Sequence, residues 1–241
     1  MKRKRSRGAS GPTNVDKWLK RETDHKRKAL ENASRHFDED DALSVNVLES
    51  IYGQESSFGT TRGKRNTAGA AGDFQLEKKT AIRLGLSVSK ENDQRFDVDD
   101  ASAASAKYLK TLDDGFRTKT NLGSGIETTP VSDSTERVKF TLAAYNAGEG
   151  RIANAQTLAA AAGINSDSWD EVKAFLKAAG ASPAKVKEIL QYVERILEYI
   201  KEFTAKSKAD KSAKLGAPLK TTESPRGGHW ITKDGKHILI R

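Results

Sequence analysis

Residues 43–58 read LSVNVLESIYGQESSF. Leu43, Val47, Leu48 and Ile51 recur at steps of three and four, the spacing that gathers side chains on one buried face of a helix. Glu55 falls one turn beyond Ile51 on that face. A carboxylate there is either an ordinary surface group at the end of a helix or an acid held away from water. Taken alone, the first reading is the simpler one. The choice rests on what the remainder of the chain can bring to Glu55.

The chain has 241 residues, 36% of them apolar, a length that suits one sizeable domain plus tails or two small domains. A core of about 150 residues with polar extensions fits that composition better than uniform packing. There is no cysteine, so disulfides and a thiolate nucleophile are excluded. The formal charge of +9 suits an anionic partner: nucleic acid, a membrane surface, or an acidic polymer such as a bacterial cell wall. The opening MKRKRSRGASGPT is followed by VDKWLKRETDHKRKALENASRHFDEDDAL, not by the apolar run of a secretory signal. Neither a signal peptide nor a membrane span is expected, and export would use another route or a leader missing from this sequence.

Residues 1–41 read as a basic arm (1–13) followed by one charged helix (14–36), with Trp18, Leu19 and Leu30 as its few apolar contacts and a solvated face elsewhere. A helical domain is expected over 42–205. Within it, the Gly- and Thr-rich stretch 59–72 reads as a loop, 77–84 as a short helix and 99–112 as an Ala-rich helix. Residues 113–135 lack periodicity and read as an insertion. A compact helix is expected over 136–147, stopped by Gly148 and Gly150, and another over 165–179, ended by Gly180. Ser182-Pro183 then opens the longest helix, striped by Val186, Ile189, Leu190, Val193, Ile196, Leu197, Ile200 and Phe203. Residues 206–226 read as a linker. Residues 227–241 read as a β hairpin about Asp234-Gly235, with His229 facing His237. The fold class is mainly α with a small C-terminal β hairpin.

Four segments now fall in order: Glu55-Ser56-Ser57-Phe58; Gly69-Ala70-Ala71-Gly72-Asp73-Phe74-Gln75-Leu76; Ala143-Ala144-Tyr145-Asn146-Ala147-Gly148; and Glu188 with Tyr192-Val193. Together they resemble the soluble lytic transglycosylase (SLT) domain of the lysozyme-like superfamily, whose pattern is E-S-x-F, G-x-x-G-L-M-Q-[LI], A-A-Y-N-A-G and E-T-x-x-Y-V. The sequence departs from that pattern in places. Asp73-Phe74 stands where the family has Leu-Met, and Thr60 to Arg65 fill the place of its Asn-Pro. Asn66 stands where a serine often contacts the sugar's acetamido group.

The resemblance implies a lysozyme-like helical fold, peptidoglycan glycan strands as substrate, no cofactor, and lytic transglycosylase chemistry with Glu55 as the catalytic residue. A free glutamate is ionised at neutral pH and cannot protonate a leaving oxygen; burial that raises its pKa to about 6 or 7 would make it useful. The family works with this one carboxylate. It first acts as acid while the sugar's acetamido oxygen attacks the anomeric carbon, then as base on the 6-hydroxyl, closing a 1,6-anhydro ring. The implied substrate-binding residues are Ser57, Asn66, Asp73, Phe74, Gln75, Tyr145, Asn146 and Tyr192. Gln75 offers donors and an acceptor, Phe74 a face for a sugar ring, and Tyr192 a hydroxyl near Glu55. The bland alternatives are core tyrosines, a loop glutamine and, for Asp73, a turn residue.

Asp73 also opens a second reading, a goose-type muramidase in which that carboxylate positions water. A third is a non-catalytic glycan-binding or virion protein of the same fold. His25, His36, His229 and His237 show no metal-ligand spacing, and no metal is expected. Charge alone would let the basic arm bind nucleic acid, but no motif supports it. The C-terminal RGGHWITKDGKHILIR resembles short tails of bacteriophage head and morphogenesis proteins. Together with the absent leader, that implies a phage or prophage origin and virion or secretion-machinery partners.

Overall fold

The computed structural model describes residues 11–65, 67–216, 221–223, 229–233 and 236–240, with side chains through residue 209. Thr13 opens the first helix, α1 (Asn14–Leu19). Its hydroxyl accepts from the Asp16 amide while the Asp16 carboxylate accepts from the Thr13 amide, so two otherwise orphaned donors are satisfied. Thr23, in extended backbone, caps a second helix, α2 (Asp24–Ala33), which runs into a single 3-10 turn at Ser34–His36. The one charged helix expected across 14–36 is therefore two helices. Nor is it a solvated arm: Val15, Trp18, Ala29, Leu30 and Ala33 are buried in the main core.

After α3 (Val45–Ser56) and the short α4 (Lys78–Arg83), where a short helix is expected, the centre of the core is α5 (Val98–Arg117), which packs against α2 on one side and α6 (Ser134–Ala147) on the other. The first half of its buried face is mostly small, with Ala101, Ala104, Ala106, Ser102 and Ser105 leaving room for neighbouring helices, and the second half is filled by Tyr108, Leu109, Leu112 and Phe116. The Asp97 carboxylate caps it by accepting from the amides of Asp99 and Asp100. The helix outlasts its expected end by one turn because that turn is anchored by charge. Arg117 pairs with Asp40 (2.8 Å), Asp113 (3.3 Å) and Asp41, and Asp113 pairs with the buried Arg137 (2.9 Å). Thus 113–117 is helical, and the insertion reduces to the loop before Ser134. That loop is tied down by Gln156, whose amide both accepts from the Thr129 N–H and donates to the Thr129 carbonyl, each at 3.0 Å.

Gly148, at φ +86°, ends α6, but α7 (Glu149–Ala161) begins at the next residue and contains Gly150. The helix expected over 165–179 is replaced by the four-residue α8 (Trp169–Val172), a 3-10 turn at Lys173–Phe175 and further turns. Trp169, Val172 and Leu176 reach the core from this irregular path.

The longest helix, α9 (Pro183–Gly216), starts as expected, with Ser182 Oγ accepting from the Lys185 amide at 3.2 Å. It continues through Gly216, so the first half of the expected linker is helical. Two compact units divide the chain between Phe203 and Thr204. The second includes an antiparallel sheet of order β3-β4-β5, formed by Thr221–Glu223, His229–Lys233 and Lys236–Ile240. The hairpin is β4–β5, and a third strand joins it from the stretch read as linker. His229 pairs with Ile240 and His237 with Thr232, so the two histidines are not cross-strand partners. The turn at Asp234-Gly235 lies outside the described residues. Among those described, no helix is long and apolar enough to cross a membrane.

Candidate active site

Glu55 lies in the last turn of α3 (Val45–Ser56). Val47, Leu48, Ile51 and Tyr52 bury the inner face of this helix completely. The helix ends abruptly: Ser57 (φ +50°) and Phe58 (φ +58°) are both left-handed. That conformation costs a non-glycine residue about 1–2 kcal/mol. Phe58 helps offset the cost by burying its ring against Tyr52 at a centroid distance of 4.6 Å.

Opposite α3, a two-residue hairpin presents Gln75. Its strands are β1 (Ala70–Ala71) and β2 (Leu76–Glu77), paired Ala70 with Glu77 and Ala71 with Leu76. Arg95 holds this hairpin from below. Fully buried, it pairs with Asp93 at 2.9 Å and donates to the carbonyls of Gly69 (2.8 Å), Leu76 (3.1 Å) and Thr67 (3.1 Å). Gly72 has no alternative at the turn: its φ is +83°, and a Cβ there would lie 1.9 Å from the Arg95 carbonyl oxygen. Gln75 itself has φ +48°. Its amide nitrogen donates to the carbonyls of Gly72 (2.8 Å) and Arg62 (3.3 Å), which leaves its own carbonyl as the group able to receive a ligand's hydrogen bond.

A cleft of about 840 Å³ lies between these elements, lined among others by Glu55, Gln75, Tyr145, Asn146, Glu149 and Glu188. Tyr192, buried in α9, donates its hydroxyl to Glu55 Oε1 at 2.7 Å. Desolvation is the largest influence on Glu55 and pushes its pKa up to about 7. The Tyr192 hydrogen bond works against that shift, the Glu188 charge adds to it and Lys185 offsets part of it. At the end of α6, Tyr145 donates to the Phe74 carbonyl (3.0 Å) and exchanges a hydrogen bond with Ser105 (3.1 Å). Burial and the Glu55 charge raise both tyrosine hydroxyls well above their ordinary range, so they act as neutral donors and acceptors. Asn146 donates to Glu188 Oε1 at 3.2 Å, and the Lys185 ammonium bridges Glu188 (2.9 Å) and the Asn146 carbonyl (3.0 Å).

Glu55, Gln75, Tyr145, Asn146 and Tyr192 are therefore brought together. Ser57, Phe74 and Asp73 do not join them. Ser57 is the left-handed cap of α3, and its carbonyl accepts from Arg21 at 3.1 Å. The Phe74 ring is buried and stacks on Tyr52 at 5.2 Å, so the face expected to meet a sugar meets the core instead. Asp73 is fully buried against Arg62 (2.6 Å) and does not line the cleft. Burial lifts its pKa to about 6 against the pull of Arg62 and Lys26. Asn66 lies outside the described residues. Sequence reasoning missed a further cluster. Glu149 receives the Tyr108 hydroxyl (3.2 Å) and faces Arg83 (3.6 Å), whose guanidinium sits over the Tyr108 ring. Nothing in local sequence joins these three; the only cue was the position of Glu149 directly after the helix-ending Gly148.

A mainly helical, lysozyme-like domain with one partly dehydrated glutamic acid over a polar cleft defines the class. The chain belongs to the Transglycosylase SLT domain family, which matches residues 34–167. It is similar to the membrane-bound lytic murein transglycosylase F of Cronobacter sakazakii, 30% identical over 162 residues, or 64% of this chain and 27% of that protein. The protein of the same name from Salmonella typhi is 31% identical over 64% of this chain and 30% of its own length. That from Desulfosudis oleivorans is 26% identical over 64% and 31%. The chain thus spans less than a third of the length of these relatives.

Proposed function

We propose that this chain is a peptidoglycan lytic transglycosylase that cleaves the β-1,4 bond between N-acetylmuramic acid and N-acetylglucosamine. The observation that carries the proposal is Glu55, held at the cleft with a pKa of about 7 and a single tyrosine hydroxyl on its carboxylate. Near neutral pH such a group is populated in both protonation states, as one residue serving as acid and then base requires. In the first step Glu55 protonates the glycosidic oxygen, and the muramic acetamido oxygen bonds to the anomeric carbon as the leaving group departs. In the second, ionised Glu55 takes the proton of the 6-hydroxyl. O6 displaces the acetamido oxygen, leaving a 1,6-anhydro end and a re-protonated Glu55. No water is consumed. Gln75 would accept from a sugar hydroxyl or acetamido N–H, while Tyr145 and Asn146 shape the adjacent wall. We place the catalytic domain at 42–205, within the first compact unit save for its last two residues.

A hydrolase would need a second carboxylate to activate water. The burial of Asp73 against Arg62 speaks against Asp73 in that role. The test is mass spectrometry of digested murein. Anhydromuramyl ends support the proposal; reducing ends would assign a muramidase. A folded wild-type chain that binds glycan without cutting it would be a binding protein. Glu55→Gln is expected to abolish turnover while retaining glycan binding, and Asp73→Asn to leave the product type unchanged.

A further inference from the structure

The helices α1 and α2 precede the family match, which begins at residue 34, yet they pack directly on the elements that carry Glu55. The Trp18 ring lies on Gly53, two residues before Glu55; a methyl added at Gly53 would meet Trp18 Cε3 at 2.3 Å. The same ring meets Tyr199 edge-on at 4.7 Å and stacks toward Phe203 at 6.5 Å, both on α9 beyond Tyr192. Asn14 donates to the Tyr199 hydroxyl at 3.3 Å, and Thr13 to Glu202. One short helix and its cap therefore touch both of the helices, α3 and α9, that carry the Glu55–Tyr192 hydrogen bond.

The chain just past Glu55 is held as well. The two left-handed residues after α3 direct their carbonyls at cations from this N-terminal segment. Arg21 donates to the Ser57 carbonyl at 3.1 Å and to Thr60 Oγ1 at 3.2 Å. The Lys26 ammonium donates to the Phe58 carbonyl at 2.8 Å and to the Arg21 carbonyl at 3.1 Å. Helix C-termini expose carbonyls that attract positive charge, and a glycine usually makes the left-handed turn there. Here serine and phenylalanine make it, and the two cations satisfy the carbonyls that this turn turns outward.

We propose that Trp18, Arg21 and Lys26 are positioning residues for Glu55: they pin the last turn of α3 against α9, so that the carboxyl meets Tyr192 instead of open water. Their part in turnover rests on the enzymatic reading given above. The groups facing Glu55 are Tyr192, Glu188 and Lys185 from α9 and Tyr145 from α6.

The test uses the full chain, with Lys26→Met, Arg21→Gln, Trp18→Phe and Trp18→Ala, and Lys28→Met as an exposed control of equal charge loss. Carbon-13 NMR titration of the Glu55 carboxyl is read beside kcat and KM across pH. Lys26→Met and Arg21→Gln are expected to lower the Glu55 midpoint by about one unit, to lower kcat about tenfold at neutral pH and to leave KM within about twofold. Trp18→Phe should restore most of what Trp18→Ala loses, and Lys28→Met should move neither reading. Removing a positive charge without loosening the turn would shift the midpoint upward. Folded variants whose Glu55 titrates as in the wild type, or higher, overturn the proposal. Where Trp18→Ala does not fold, the lysine and arginine variants decide. If the wild type releases no anhydro ends, the lyase reading fails while the titration still settles the positioning role.

Discussion

Tyr192→Phe isolates the hydrogen bond on which the acid–base reading turns. The substitution removes one oxygen and keeps the ring that fills α9's inner face. The lost bond is a short one, 2.7 Å, from a neutral hydroxyl to Glu55 Oε1, and it favours the ionised carboxylate. Hydrogen bonds to charged groups contribute about 1.5–3 kcal/mol. At about 1.4 kcal/mol per unit, that corresponds to a rise of about one to two units in the Glu55 pKa. The starting value is about 7, so Glu55 should be almost wholly protonated at neutral pH in the variant. The nearby Tyr145 hydroxyl cannot take over, because it is committed to the Phe74 carbonyl and Ser105. The alkaline limb of kcat/KM, followed by release of soluble muropeptides, should move upward by at least about one unit. Turnover at the optimum should also fall, since the hydroxyl orients the carboxyl, but the position of the limb does not depend on that loss. A limb that stays in place or moves down would refute the assignment of Glu55 as the titrating acid under Tyr192's control.

Glu55 also makes a stability prediction. Its folded pKa is raised from 4.5 to about 7, so its favourable contribution is complete below pH 4.5 and is lost as pH rises through about 7. The loss amounts to about 3 kcal/mol, so thermal melts should show Glu55→Gln more stable than wild type at pH 8 and nearly equal to it at pH 4. Gly72→Ala should destabilise by about 3 kcal/mol or more, because the methyl would meet backbone, not a movable side chain, at 1.9 Å. Urea denaturation checks this, and a loss below about 1 kcal/mol would mean the hairpin can shift away from Arg95. Arg95→Met removes the charge facing buried Asp93 and three donors to the hairpin backbone, at a cost of about 3–5 kcal/mol. Because that hairpin carries Gln75, glycan affinity should fall even where the variant is fully folded; unchanged affinity would contradict the placement of Gln75 at the substrate.

Helices with a single continuous stripe were legible from sequence, because their burial pattern is local. Both α3 and α9 show it, and the Ser182-Pro183 start of α9 added a second signal. Where punctuation competed with packing, the outcome differed. Gly148 and Gly150 look alike in sequence, but only Gly148 takes a left-handed backbone; Gly150 is absorbed into α7, which went unassigned. In α1 and α2 the abundance of charge obscured Val15, Trp18, Ala29, Leu30 and Ala33, a set small in number yet wholly committed to the core.

The candidate site divides along a similar physical line. Gln75 lines the cleft, while Asp73 and Phe74, two and one residues away, turn inward to Arg62 and Tyr52. The left-handed dihedrals at Gly72 and Gln75 swing consecutive side chains in different directions, and sequence distance carries no record of that. Ser57 diverges from Glu55 for the same reason, since the helix reverses at Ser57 itself. A motif can name the acid, but the environment that makes it an acid is assembled from far away. Tyr192 is 137 residues distant, and Trp18 and Lys26 approach from the opposite end of the chain. The proton affinity of Glu55 is therefore a tertiary property. A fragment retaining only the matched family segment would keep the glutamate, yet lose Tyr192 together with the helices that shield and aim it.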